Sequence, residues 1–135
     1  MRRAPGDLVR AFAGAVSSGD VGSLEPFLDD DIDATFDEAG ALSGRRTVLA
    51  FWRRLFETYV RFEMHIVRLV EEGSVVIAEA VYILHMRRGG SLSVRAMALF
   101  EIEKDRIVRW TDHADLADVS PEERRRWRRL GAAKW

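Results

Sequence analysis

Residues Phe62–Met86 read FEMHIVRLVEEGSVVIAEAVYILHM, and in this stretch the apolar period shortens to two. Phe62 to Val70 forms one strand, Glu71-Glu72-Gly73-Ser74 turns it back, and Val75 to Met86 forms the next. One face of the second strand carries Val76, Ala78, Ala80, Tyr82, Leu84 and Met86, apolar except for one tyrosine hydroxyl. The other carries Val75, Ile77, Glu79, Val81, Ile83 and His85. A strand apolar on both faces is expected to be buried on both. That leaves Glu79 as a carboxylate in apolar surroundings.

The same period continues toward the C-terminus. Arg87-Arg88-Gly89-Gly90 makes a second hairpin turn, Leu92–Glu103 a third strand, and Lys104-Asp105 a tight turn. The fourth strand is RIVRWTDHADL, Arg106–Leu116. Alternation puts Arg106, Val108, Trp110, Asp112 and Ala114 on one side, and Ile107, Arg109, Thr111, His113 and Asp115 on the other. From Val108 onward the first side is apolar except for Asp112. A carboxylate there is paired, protonated or functional, because burying a lone charge is costly.

Before the hairpin the period is helical. Leu8, Val9, Phe12, Ala15 and Val16 form one stripe with Asp7 as its cap, and the helix stops at Ser17-Ser18-Gly19-Asp20. A second short helix is predicted to present Val21, Leu24, Phe27 and Leu28, closed by a solvated turn at Asp29-Asp30-Asp31. Ile32, Ala34 and Phe36 alternate as a half-buried strand that runs into a loop from Glu38 to Ser43. Gly44 then opens a long helix facing inward with Val48, Phe51, Trp52, Leu55, Phe56 and Tyr59. At the far end Ser120-Pro121-Glu122-Glu123 is a capping box that starts a basic helix, with Arg124 to Arg129 read as a solvated face. Helices followed by a four-strand meander define an α+β fold with a curved, mainly antiparallel sheet. Its cavity is expected between the helices and the concave face.

The totals restrict the function. A chain of 135 residues that is 47% hydrophobic is read as one domain, 1–135, with a real core. A formal net charge of -1 gives no reason to expect nucleic-acid binding. There are no cysteines, so thiol chemistry is excluded. Asp7 and Arg10 interrupt the apolar N-terminus, which is read as a helix rather than a leader. No run is long enough to span a bilayer. A cytoplasmic domain without membrane or nucleic-acid partners is the expectation.

Glu79 and Asp112 are the leading catalytic candidates. In a shared cavity each disfavours ionisation of the other, separating an acid from a base. Asp37, ending the first strand, is a third candidate at the cavity mouth. His65 and His85 are read as satisfied histidines, and no spacing resembles a metal site, phosphate loop or dinucleotide fingerprint. No metal or organic cofactor is therefore expected.

Three stretches resemble one superfamily: Phe12 to Asp31 with its GD and closing DDD, Ser43-Gly44-Arg45 opening the long helix, and LFEIEKDRIVRWTDHADL near the end. The chain is similar to the nuclear-transport-factor-2-like superfamily, nearest the SnoaL-like polyketide cyclases and limonene-1,2-epoxide hydrolases. The resemblance implies a cone-shaped barrel, wrapped on its N-terminal helices, that assembles as a homodimer. It matches Asp112 to the aspartate that activates water in the epoxide hydrolases, and Trp110 to a pocket tryptophan. Those enzymes carry an Arg-x-Asp pair where this sequence has Glu79 and Val81. Their water-holding tyrosine and asparagine fall near Ala34 and Phe36. SnoaL-like cyclases need chiefly one aspartate in a hydrophobic pocket, which Asp112 supplies. Parity and resemblance together give Val81, Ile83, Val94, Ala96 and Trp110 as pocket wall, with Tyr59 as a hydrogen-bond donor. The implied activity is cofactor-independent acid/base chemistry on a small hydrophobic substrate: cyclisation, isomerisation or epoxide opening. The alternative is a non-catalytic ligand-binding or dimerisation module.

Overall fold

The hairpin formed by residues 62–86 lies at one edge of a six-stranded sheet. The structure is a computed structural model, and it describes residues 3–132. The elements run α1 (Pro5–Ser17), two 3-10 turns (Val21–Ser23 and Glu25–Phe27), β1 (Leu28–Phe36), β2 (Gly40–Ser43), α2 (Arg45–Thr58), β3 (Arg61–Glu72), β4 (Val75–His85), β5 (Ser91–Glu103), β6 (Arg106–Ala114) and α3 (Pro121–Ala132). The sheet order is β2-β1-β6-β5-β4-β3. All neighbours are antiparallel except β1 and β6, which run parallel. The α+β class and the four-strand meander are as the periodicity predicts.

Local structure differs from expectation at four points. Asp7 does not cap α1: it lies in the helix's first turn, and the N-cap position is Ala4, which makes no side-chain capping bond. The segment from Val21 forms 3-10 turns, not a helix; Asp20 caps the first by accepting from the Gly22 N–H at 3.1 Å. Pro26 removes a backbone donor from the second. Asp29 to Asp31 lie within β1 rather than in a turn, where Asp30 pairs with Arg45 at 2.7 Å. The loop after Phe36 contains β2, paired with β1 from Asp33↔Ser43 to Phe36↔Gly40. The remaining turns match their residues. Lys104 and Asp105 both take positive φ, and Ser120 caps α3 by accepting from the Glu123 N–H at 3.1 Å.

β6 does not alternate without interruption. The register with β5 shifts between Glu101 and Ile102, so Ile107 is fully buried while Val108 is only half-buried. A bulge places two successive residues against one partner and reverses parity beyond it. From Trp110 to Ala114 the predicted sides hold.

The core lies between the helices and the concave face of the sheet. Trp110 is wholly buried between the rings of Trp52 (5.5 Å, 9°) and Phe100 (5.4 Å, 24°). Phe12 and Phe36 meet it edge-on at 5.1 and 4.7 Å. Such ring pairs contribute roughly 0.5–1.5 kcal/mol each beyond their buried area. Together they fix the indole's orientation, which sets the direction of its N–H.

Candidate active site

Asp112 is the one buried charged side chain among the described residues. It opens into a cavity of about 100 Å³ between α2, α3 and the concave ends of β1, β4, β5 and β6. Two neutral donors hold its carboxylate: Tyr82 Oη to Oδ2 at 2.6 Å and Trp110 Nε1 to Oδ1 at 3.0 Å. Burial, with a smaller contribution from nearby Asp37, pushes the Asp112 carboxyl up to about 6, against the two hydrogen bonds and the neighbouring His113, which lower it. Burial, followed by the Asp112 charge, holds the Tyr82 hydroxyl well above its ordinary value, so it remains a donor.

The sheet register explains how Tyr82 reaches Asp112 from two strands away. Tyr82 lies opposite Val94 and Asp112 opposite Ala98, so Ala96 sits midway between them on the inner face of β5. Two alanines in that row leave a trough that a tyrosine can cross. Trp110 precedes Asp112 by two residues on one face, so its pinned indole can donate to its own strand neighbour.

Several predicted site residues fall elsewhere. Glu79 points to the outer face and pairs with Arg68 at 2.9 Å, so it shares no cavity with Asp112. Val81 and Ile83 lie on that same outer face, because the buried residues of β4 are Val76, Ala78, Ala80, Tyr82 and Leu84. Tyr59 is buried but outside the cavity. Its hydroxyl donates to Glu123 at 2.7 Å and accepts from Trp127 Nε1 at 2.6 Å, joining α2 to α3. Its pKa is raised chiefly by burial. Trp110 backs the aspartate instead of lining the cavity. Ala96 faces inward without being part of the cavity wall, whereas Val94 is part of it.

Asp37 is where the sequence places it, at the cavity mouth. Its Oδ2 accepts from the Ala114 N–H and its Oδ1 lies 3.9 Å from His113 Nδ1. The two strand histidines are satisfied: His65 and His85 both bond Glu63 on the outer face.

Sequence reasoning missed Tyr82, Glu38 and the part played by α3. Glu38 lines the cavity mouth and is gripped by Arg124 at 2.8 Å and Arg128 at 2.9 Å, so these arginines are not simply solvated. This brings Trp127 over the cavity as part of its wall. Trp52 also lines it, and its Nε1 is the one buried side-chain polar atom without a hydrogen-bond partner among the described residues.

Helices packed on a curved, mixed, mostly antiparallel sheet are the ketosteroid isomerase-like class of fold. Residues 9–110 match the SnoaL-like domain family, and the chain belongs to it. That match ends two residues before Asp112, so the aspartate's place in the site rests on geometry. No curated protein is similar enough in sequence to match the chain. Among solved structures, a hypothetical protein with a ketosteroid isomerase-like fold from Catenulispora acidiphila, in complex with trimethylamine, is 21% identical with a TM-score of 0.76. The match covers 83% of this chain and 88% of that one. An LEH-like epoxide hydrolase from M. tuberculosis is 24% identical with a TM-score of 0.76, covering 84% of each chain. A protein described as a SnoaL-like polyketide cyclase from Shewanella denitrificans is 17% identical with a TM-score of 0.73, covering 82% of this chain and 90% of that one. Likeness at these identities establishes the fold and leaves the reaction open.

Proposed function

We propose that this chain is an acid/base catalyst whose Asp112 exchanges a proton with a small, largely hydrophobic molecule bound in the cavity. The observation that carries the reading is Asp112 itself: a carboxylate buried among aromatic rings, raised to about 6 by that burial and open to the cavity. A base in that range is mostly ionised at neutral pH yet strong enough to take a proton from a carbon acid or from water. Tyr82 and Trp110 orient it, and Tyr82 is itself part of the cavity wall. Proton transfer at carbon serves isomerisation or ring closure; activation of water serves epoxide opening. The SnoaL-like family and the epoxide hydrolase among its structural neighbours support this range.

The competing reading is a cavity that holds a ligand without changing it. It is favoured by one fact: both Asp112 oxygens already accept a hydrogen bond, as in a purely structural carboxylate. Two generic probes separate the readings: α-proton exchange of cyclopentanone in D2O and hydrolysis of cyclopentene oxide, each followed by NMR. Catalysis of either one, rising with pH through about 6 and lost in Asp112→Asn, supports the acid/base reading. Rates equal to buffer for both probes, or equal in Asp112→Asn, would falsify it.

Self-association through the outer face of the sheet belongs to the same proposal. Ile77 and Met97, on neighbouring strands, are 40% and 50% exposed, beside half-buried Val81 and Ile83. We read this apolar cluster as the surface through which two copies would pair.

A further inference from the structure

The chemistry of the cavity wall points to the charge of its ligand. Phe36, Phe51, Trp52, Phe62, Tyr82 and Trp127 supply six aromatic rings. Asp37, Glu38 and Asp112 supply three carboxylates, and no lysine, arginine or histidine is among the described lining residues. The carboxylates are not equivalent. Glu38 is neutralised by Arg124 and Arg128, and Asp37 has a backbone donor and His113 within 3.9 Å. Asp112 has only the neutral donors Tyr82 and Trp110, and no ion pair reaches it among the described residues. An anionic site walled by π faces therefore lacks a counter-charge.

We propose that the cavity binds a small alkylated ammonium group, its charge facing the Asp112 carboxylate and its methyl groups packed against the aromatic wall. A cation over ring faces is attracted by the ring quadrupole, more strongly as it is desolvated, and aromatic cages recognise methylated ammonium groups this way. A buried carboxylate held only by neutral donors keeps a desolvation cost that the two hydrogen bonds offset in part, and a bound cation offsets more of it. A neutral hydrophobic ligand would leave the charge as exposed to low dielectric as before. Size agrees: about 100 Å³ is less than the roughly 150 Å³ apolar cavity that accepts benzene. A trimethylated nitrogen is smaller than a benzene ring. The inference deepens the preceding proposal by naming the ligand's charge, and it rests only on the assignment of this cavity as the ligand site.

The test compares two molecules of one shape. Tetramethylammonium and tert-butanol are titrated separately into the full chain, and binding is read from the indole N–H resonances by NMR. At pH 7.5 tetramethylammonium should bind about tenfold or more tightly than tert-butanol. That advantage should shrink as pH falls through about 6, where Asp112 becomes neutral and the other charged groups near it, Asp37, Glu38 and His113, are less buried. Asp112→Asn should bring the two affinities together. Equal or tighter binding of tert-butanol by the unmodified chain, binding of neither molecule, or a preference that survives in Asp112→Asn overturns the inference. The outcomes stay separate from catalysis. Cation preference without Asp112-dependent proton exchange leaves this inference standing and removes the acid/base reading; exchange without cation preference does the reverse.

Discussion

The Tyr82 hydroxyl donates to Asp112 Oδ2 at 2.6 Å across the intervening strand β5, and no other side chain joins β4 to the aspartate among the described residues. Tyr82→Phe keeps the ring and removes that donor. Because the bond favours the ionised carboxyl, its loss should raise the Asp112 pKa above its present value of about 6, as read by carboxyl-carbon NMR. A hydrogen bond to a charged partner contributes roughly 1.5–3 kcal/mol. The variant should lose about that much stability at pH 8 and less at pH 5, where the carboxyl is neutral. An unchanged titration would show that Tyr82 is not what holds the aspartate ionised.

Asp112 makes stability depend on pH in the direction opposite to most carboxylates. Its folded value lies near 6 and its unfolded value near 3.8, so the folded state binds the proton more tightly between them. Stability from this group is therefore fully present below about 3.8 and is lost as pH rises to about 6, on the order of 3 kcal/mol in all. Glu63, lowered by its hydrogen bonds to His85 and His65, acts in the reverse sense and loses its contribution as pH falls. Urea unfolding of the unmodified chain and Asp112→Asn from pH 4 to 8 isolates the aspartate. The difference between the two curves should slope between about 4 and 6 and be flat above; a flat difference throughout refutes the shifted carboxyl.

The element types were legible because period reports on local geometry, but the site was legible only in part. β4 is apolar on both faces, and alternation cannot say which of two apolar faces turns inward. A carboxylate within an apolar run singles out the face of Glu79 by pattern alone, yet that face is the outer one, where Arg68 and solvent satisfy the charge. The usable signal was quieter: Tyr82 carries the single polar atom on a face otherwise built of Val76, Ala78, Ala80 and Leu84. Tyr59 and Glu123 are 64 residues apart, as are no local pattern's partners, so the α2–α3 junction had no sequence signature. The bulge before Trp110 was hidden for the same reason, since it depends on the partner strand's register.

The outer face offers a test of self-association. Met97→Glu places a charge at a position that is 50% exposed and opposite Glu79 in the register of β4 and β5. In an isolated chain the change should cost less than about 1 kcal/mol, as surface substitutions do. If copies pair through this face, the two introduced carboxylates become buried and the assembly dissociates. Sedimentation should show a heavier species for the unmodified chain and a 15.4 kDa species for the variant. A 15.4 kDa species for both rules out pairing through this face.

Two helical glycines should respond to the same substitution with opposite signs. Alanine is preferred over glycine inside a helix by about 1 kcal/mol. Gly14 in α1 is exposed, and an added Cβ would meet nothing within 4 Å, so Gly14→Ala should stabilise the chain by up to that amount. Gly131 in α3 lies against the turn beyond Asp37, and an added Cβ would collide with the Ala39 carbonyl group. That contact is with backbone, so the helix must move. Gly131→Ala should destabilise the chain despite the propensity gain. It should also lift Trp127 from the cavity, with a red shift in tryptophan emission. Glu38→Gln, which releases Arg124 and Arg128, should produce the same spectral change through the other end of the contact. Equal stabilisation by both glycine substitutions would mean that α3 does not press on the cavity mouth, and Trp127 would then be no fixed part of its wall.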